Sequence, residues 1–240
     1  MDKKKLHLPF DEIVCLNLVE REDRYNKMCE IFKYLGIDDK VKFHRAVKHP
    51  HCEEISESIM VKKLGTIYGD AFSCTREHYA IIKSAYLRGL NSIMVIEDDC
   101  WFYRDIDELQ QYFDNLPDDW DVLRVNCLRG RHEEKHFLKD ENINKLWDRE
   151  FISTYGTGCY CLNRIGMKKM IDWIDKQYNS IDIYLFKYND LGCNTYIPNR
   201  PLALCFPDEN GSDINIGIQK TGPQYYYLDI KNIDLSMYKY

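Results

Sequence analysis

The sequence has no apolar run long enough to span a bilayer or to serve as a secretory leader. Its opening, MDKKKLHLPF, is basic, but no hydrophobic segment follows the lysines. A soluble, cytoplasmic protein is the expectation. A basic excess is also missing: the formal net charge is -6, which argues against the positive face that a nucleic-acid binder turns to phosphates. The ten cysteines include no CxxC pair, so a zinc-ribbon module is not supported. Cys15, Cys127, Cys159, Cys161 and Cys205 instead sit inside apolar runs, where a reduced thiol behaves as a small hydrophobe. There is no internal repeat.

What is present is a chain of 240 residues with 45% hydrophobic side chains, enough to bury one sizeable core and short for two catalytic domains. One domain over residues 1–240 is expected. The 18 tyrosines and four tryptophans could stack on sugars or simply fill the core, and composition leaves both open.

Strand and helix patterns alternate along the chain. IVCLNL (13–18) is a buried-strand run, followed by a helical stripe at Tyr25, Met28, Phe32 and Leu35 that stops at Gly36. The spacing predicts a second helix from Asp70 to Arg88, with Cys74, His78, Ile82 and Ala85 on one stripe and Gly89 as its stop. SIMVIEDD then reads as a buried strand ending in acids. In DIDELQQYFDNL, Asp105 and Glu108 have the spacing of a capping box, and WDVLRVN follows as a further strand. Between Leu128 and Glu150 the pattern gives way to charge, which reads as a divergent loop, either a lid or an inert surface excursion. GTGCYCLN, the amphipathic helix RIGMKKMIDWIDKQY and the strand PLALCF complete the order. This alternation predicts an α/β fold with a mainly parallel sheet covered by helices, and ligands beyond the carboxyl ends of the strands.

Two clusters carry candidate chemistry. Glu97, Asp98 and Asp99 lie at the end of an apolar strand, where three like charges are costly unless a cation or solvent compensates them. Hard oxygen ligands suit Mg2+ or Mn2+. Strand alternation places Glu97 and Asp99 on one side and Asp98 on the other, unless the chain turns, which makes Asp99 the first metal-ligand candidate with Glu97 behind it. In the first strand-to-helix connection, Asn17, Arg21, Asp23 and Arg24 occupy a position where arginines and helix amides can grip phosphate. Surface arginines paired with Glu20 or Glu22 fit that spacing equally well. Cys74 and His78, one turn apart, could ligate zinc, but no further ligands are evident, which favours a core histidine.

Taken in order, these segments resemble the family 25 glycosyltransferases, which include bacterial lipooligosaccharide galactosyltransferases and collagen galactosyltransferases. The resemblance spans about residues 13 to 215. The family's opening motif is similar to the segment carrying Leu16, Asn17, Leu18, Arg21, Asp23, Arg24 and Met28, and a later segment to Phe43, Arg45, Ala46 and Val47. SCTREH keeps the family's Cys74 and His78, while Ser73 and Glu77 depart from its glycine and serine. Glu97–Asp99, Trp120 with Asp121, GCYCLNRIGMKKM, the run Ile181, Asp182, Tyr184 and Leu185, and Ser212, Asp213 and Ile214 follow in family order. The resemblance implies a single-domain GT-A-type, Rossmann-like sheet and a UDP-sugar donor carrying galactose or glucose. It also implies a divalent cation, usually manganese, and inverting transfer to a hydroxyl of a glycan, lipid-linked or protein acceptor. On that reading Asn17, Arg21, Arg24, Glu97 and Asp98 contact the donor, and Asp99, Glu97 and Asp213 hold the metal. Asp182 is the candidate base, with Asp213 as its alternative; Asp182 could equally cap a helix after Ser180. A nucleotidyl- or phosphosugar transferase, or an inactive sugar- or protein-binding relative, are the competing readings.

Overall fold

The computed structural model describes residues 4–47, 69–126, 146–149, 157–176, 181, 188–200, 202–205, 235–238 and 240. Strand β1 (Glu12–Leu18) is apolar on both faces because both faces are covered. Its Ile13 and Cys15 face one core cluster and its Val14 and Leu16 the other. Strand β3 (Ser92–Glu97) repeats the alternation, with Met94 and Ile96 on the first side and Ile93 and Val95 on the second. Helix α1 (Glu22–Leu35) covers the first side through Met28, Ile31, Phe32 and Leu35. Helix α2 (Gly69–Leu87) covers the second through Ile81, Ile82 and Ala85. Each of the larger of these side chains (Ile, Leu, Val, Met, Phe), fully removed from water, contributes about 1.5–3 kcal/mol.

Among the described residues the sheet has seven strands in the order β2-β1-β3-β7-β5-β8-β6. Here β2 is Val41–Ala46, β5 Val122–Leu123, β6 Trp147–Arg149, β7 Cys159–Asn163 and β8 Thr195–Pro198. β1 runs parallel to β2 and β3, β7 is antiparallel to β3 and β5, and β6 is antiparallel to β8. The expected α/β class, a sheet flanked by helices, is what forms, but the sheet is mixed rather than mainly parallel. β7 enters from the opposite direction, antiparallel to β3, and runs without an intervening residue into helix α4 (Arg164–Lys176). A separate two-stranded ribbon pairs β4 (Cys100–Phe102) with β9 (Ala203–Cys205). Helix α3 (Ile106–Asp114) begins where Asp105 accepts a hydrogen bond from the Glu108 backbone at 3.1 Å, one half of the expected capping box.

Helix ends follow their glycines. Gly36 takes the left-handed conformation (φ 69) that stops α1, and Gly89 (φ 82) does the same after α2. Beyond α2 the Gly89 amide returns to the Tyr86 carbonyl at 3.1 Å and the Leu90 amide to Ala85 at 3.2 Å, the reciprocal pair of a Schellman stop. The charged stretch 128–150, expected as a loop, contains β6, whose Trp147 is buried and donates to the Tyr112 carbonyl at 2.9 Å. An edge strand of three residues has too little periodicity to stand out from surrounding charge. At the amino end of β1, opposite the acidic strand end, Glu12 is held by Arg88 and Lys42, which outweigh burial and lower its pKa to about 2.

Candidate functional site

β1 and β3 are parallel neighbours in a register that sets Leu16 beside Glu97, so Asn17 and Asp98 meet at their carboxyl ends. β3 stops at Glu97, and Asp98–Asp99 form a turn into β4. The strand alternation expected to place Glu97 and Asp99 on one side therefore does not extend past Glu97. The three acids go to separate surroundings.

Glu97 turns to helix α2, where its Oε1 lies 3.2 Å from His78 Nε2. Burial pushes its carboxyl up, but the hydrogen bonds from His78 and Thr157 and the charge of Arg24 prevail and lower it. Asp98 is buried and fully engaged: Asn17 Nδ2 donates to its Oδ2 at 2.6 Å and Arg24 Nη1 to its Oδ1 at 2.9 Å. Burial still outweighs those partners and raises its carboxyl. Asp99 is the exception. Its Oδ1 is buried with no hydrogen-bond partner among the described residues, and its Oδ2 is 3.8 Å from Arg24. Burial and the charges of Glu97 and Asp98 push it up to about 7, against smaller opposing effects of Arg24 and Cys205.

Asn17 Oδ1 and Asn126 Oδ1 are likewise buried without partners among the described residues, and Asn17 touches the turn through its Nδ2 on Asp98. Asn126 follows β5, and its Nδ2 reaches Cys205 Sγ at 2.8 Å, the thiol that also hydrogen-bonds Asp99. Gly158, just before β7, closes this wall. A Cβ there would lie 2.3 Å from Cys205 Sγ and 2.4 Å from Asn126 Nδ2, so a side chain at this position would force one of those groups to move. A carboxylate oxygen and amide oxygens are the hard donors that a divalent cation of the Mg2+ or Mn2+ type accepts. In residue type, Asp99 fits a divalent ion.

Arg24 is 8% exposed and lies with its guanidinium on Asp98, not at the solvent-facing junction its position in the sequence suggests. The apolar stripe of α1 carries it inward, one turn ahead of Met28. Arg21 occupies the N-cap of α1 and forks onto Asp23, with contacts at 2.8 and 3.0 Å. Asp182 and Asp213 lie outside the described residues. Asn126, Gly158 and Cys205 escaped the sequence reading because they come from three separate strand ends and form no local motif. The glycine-led GCYCLN segment was the one available signal. Other motif residues serve the scaffold: Asp121 accepts from the Asn194 amide at 2.9 Å and Asn163 Nδ2 at 3.1 Å. A Cβ on Gly166 would sit 2.4 Å from the Asp121 carbonyl oxygen.

The chain matches no family model. It is 26% identical over 185 residues to procollagen galactosyltransferase 1 of Danio rerio, covering 71% of this chain and 30% of the relative. In sequence the chain is similar to a glycosyltransferase. It spans less than a third of that relative's length. Among solved structures it is similar to the galactosyltransferase LgtC in complex with donor and acceptor sugar analogues. That likeness has 11% identity and a TM-score of 0.39, over 78% of this chain and 72% of LgtC. The apo form of mouse xyloside xylosyltransferase 1 gives 10% identity and 0.38, over 84% and 98%. These structural likenesses are too distant to carry a functional argument. No helix among the described residues is long and apolar enough to cross a membrane.

Proposed function

We propose that this chain is a GT-A-type enzyme resembling family 25. It would transfer galactose or glucose from a uridine-diphosphate sugar to a hydroxyl of a glycan, lipid-linked or protein acceptor, with inversion at the anomeric carbon. The observation that carries this reading is Asp99, a buried carboxylate with an unpartnered oxygen at the carboxyl end of adjacent parallel strands. Ligands of α/β sheets bind at that edge, and the sequence likeness to a galactosyltransferase supplies the ligand class.

Asp99, with the amide oxygens of Asn17 and Asn126, would hold Mn2+ or Mg2+; when bound, the ion supplies positive charge opposite a leaving diphosphate. Asp98 serves indirectly, since it fixes Arg24 and Asn17 and so sets the shape of the edge. The amides opening α1 and the Arg21 guanidinium would face phosphate oxygens. Asp182, or in its place Asp213, would take the acceptor proton.

Thermal unfolding tests the reading directly. UDP with Mn2+ should raise Tm well above either alone, since ligand at ~100 times its Kd adds about 2.7 kcal/mol. An equal shift from nucleotide without metal removes the cation from the mechanism. A screen of nucleotide sugars for slow Mn2+-dependent hydrolysis then identifies the donor; release of pyrophosphate instead of nucleoside diphosphate would mean nucleotidyl transfer.

A further inference from the structure

Behind the acidic turn, on the α2 side of the sheet, Cys74, His78 and Glu97 converge. One ligand atom of each lies within 4.8 Å of the others. Cys74 and His78 share a face because they are four residues apart on α2. Glu97 comes from the end of β3, which explains why no spacing in the sequence links it to them. The His78 ring is fully buried and cannot turn freely. Its Nδ1 is 2.8 Å from the Tyr160 hydroxyl, and the two rings stack with centroids 5.7 Å apart. That leaves Nε2 aimed at Glu97.

We propose that Cys74 Sγ, His78 Nε2 and Glu97 Oε1 form a site for a thiol-seeking divalent transition metal of the zinc class, separate from the hard-cation position at Asp99. A sulfur, an imidazole nitrogen and a carboxylate are the mixed donor set that zinc accepts, whereas Mg2+ and Mn2+ prefer oxygen alone. Among the described residues three ligands converge, one short of a tetrahedral set, and Cys74 and Glu97 are partly exposed. The Tyr160 hydroxyl plays the outer partner that metal-bound histidines usually have. Binding releases the Cys74 proton to solvent, and His78 keeps one proton on Nδ1, directed at Tyr160, so its Nε2 lone pair faces the ion. An ion there would tie α2 to the end of β3 and fix Glu97 next to the Asp98–Asp99 turn.

Co2+ added to the full chain, freed of metal, tests this by optical spectroscopy. The expected result is a cobalt–thiolate charge-transfer band that saturates at one equivalent and is displaced by Zn2+ but not by excess Mg2+. Cys74→Ser should abolish the band and weaken Zn2+ binding at least about tenfold, with an unchanged circular dichroism spectrum. His78→Gln should weaken binding similarly and, if it unfolds, Cys74→Ser still decides. Asp99→Asn should leave the band intact, so the outcome is independent of the donor-site reading. Absence of the band, or its survival in Cys74→Ser, overturns the proposal.

Discussion

Asn17 Nδ2 donates to Asp98 Oδ2 across 2.6 Å, joining the end of the first strand to the turn after the third. The same amide also reaches the Arg21 carbonyl at 3.1 Å, and Arg24 completes the arrangement from α1. One asparagine thus ties the strand, the helix start and the acidic turn into a single unit. The two motifs that looked separate in the sequence are one structure.

Arg24→Ala should destabilise the fold more than it weakens any donor. The guanidinium is the charged partner of Asp98, and both side chains are about nine-tenths buried. Removing one member of a buried pair leaves an uncompensated charge, costing about 3–5 kcal/mol. Urea unfolding of Arg24→Ala, Asp98→Asn and the double variant gives the coupling energy. Additive losses would show that the pair is not coupled.

Cation binding should weaken on acidification with a midpoint set by Asp99. Its carboxyl is raised to about 7 from the usual 3.8, so below neutrality a proton occupies the ligand. Mn2+ affinity should fall by about tenfold per pH unit at most below that value. Without metal the sign for stability is the opposite. A raised carboxyl stabilises fully below its unfolded value, and that contribution disappears as pH rises from about 4 through about 7. Metal-free wild type should lose Tm over that window, and Asp99→Asn should lose less, since the raised Asp98 carboxyl remains. Titration calorimetry and melting curves across pH 5 to 8 check both signs, and flat profiles would place Asp99 in a solvated site.

Strands β1, β3, β5, β7 and β9, the helices and the acidic triplet can be read from the sequence because each is written locally, in apolar runs and helical stripes, whereas β2, β4, β6 and β8 are too short or too polar to stand out. Gly36 and Gly89 marked their helix ends for the same reason. The direction of β7 could not be read, since an apolar strand has the same pattern in either orientation. Arg24 looked exposed because charge dominates its neighbours in sequence, whereas its placement is decided by Asp98, 74 residues away. Asn126, Gly158 and Cys205 meet only after the strands have paired. Glu97 joined Cys74 and His78 for the same reason.

Gly158→Ala should damage the site without touching a charge. The added methyl would sit 2.3 Å from Cys205 Sγ and 2.4 Å from Asn126 Nδ2, with Cys100 Cβ at 3.3 Å behind them. Overpacking of this kind costs about 1–3 kcal/mol, and relief must come by moving Cys205 or Asn126, both of which border Asp99. We expect a lower Tm together with weaker Mn2+ binding, measured by calorimetry on the folded fraction. A variant with wild-type Tm and affinity would mean that the wall behind Asp99 is loosely packed.

Asp99→Asn is the decisive substitution for the proposed chemistry. Asparagine keeps the size of the side chain and removes the charge that burial makes costly, so the fold should be preserved or slightly stabilised near neutral pH. A cation ligand is lost at the same time. With no cation charge near the leaving diphosphate, several kcal/mol of stabilisation disappears from the transition state. Each 1.36 kcal/mol is a factor of about ten in rate, so turnover should fall by about a hundredfold or more. Glu97→Gln should be milder, because Glu97 already faces His78 rather than the orphaned oxygens. The measurement is Mn2+-dependent hydrolysis of the donor sugar nucleotide by both variants and wild type, with circular dichroism to confirm the fold. Asp99→Asn activity within about threefold of wild type would separate this buried carboxylate from the reaction, and the proposed transfer would lose the residue it is built on.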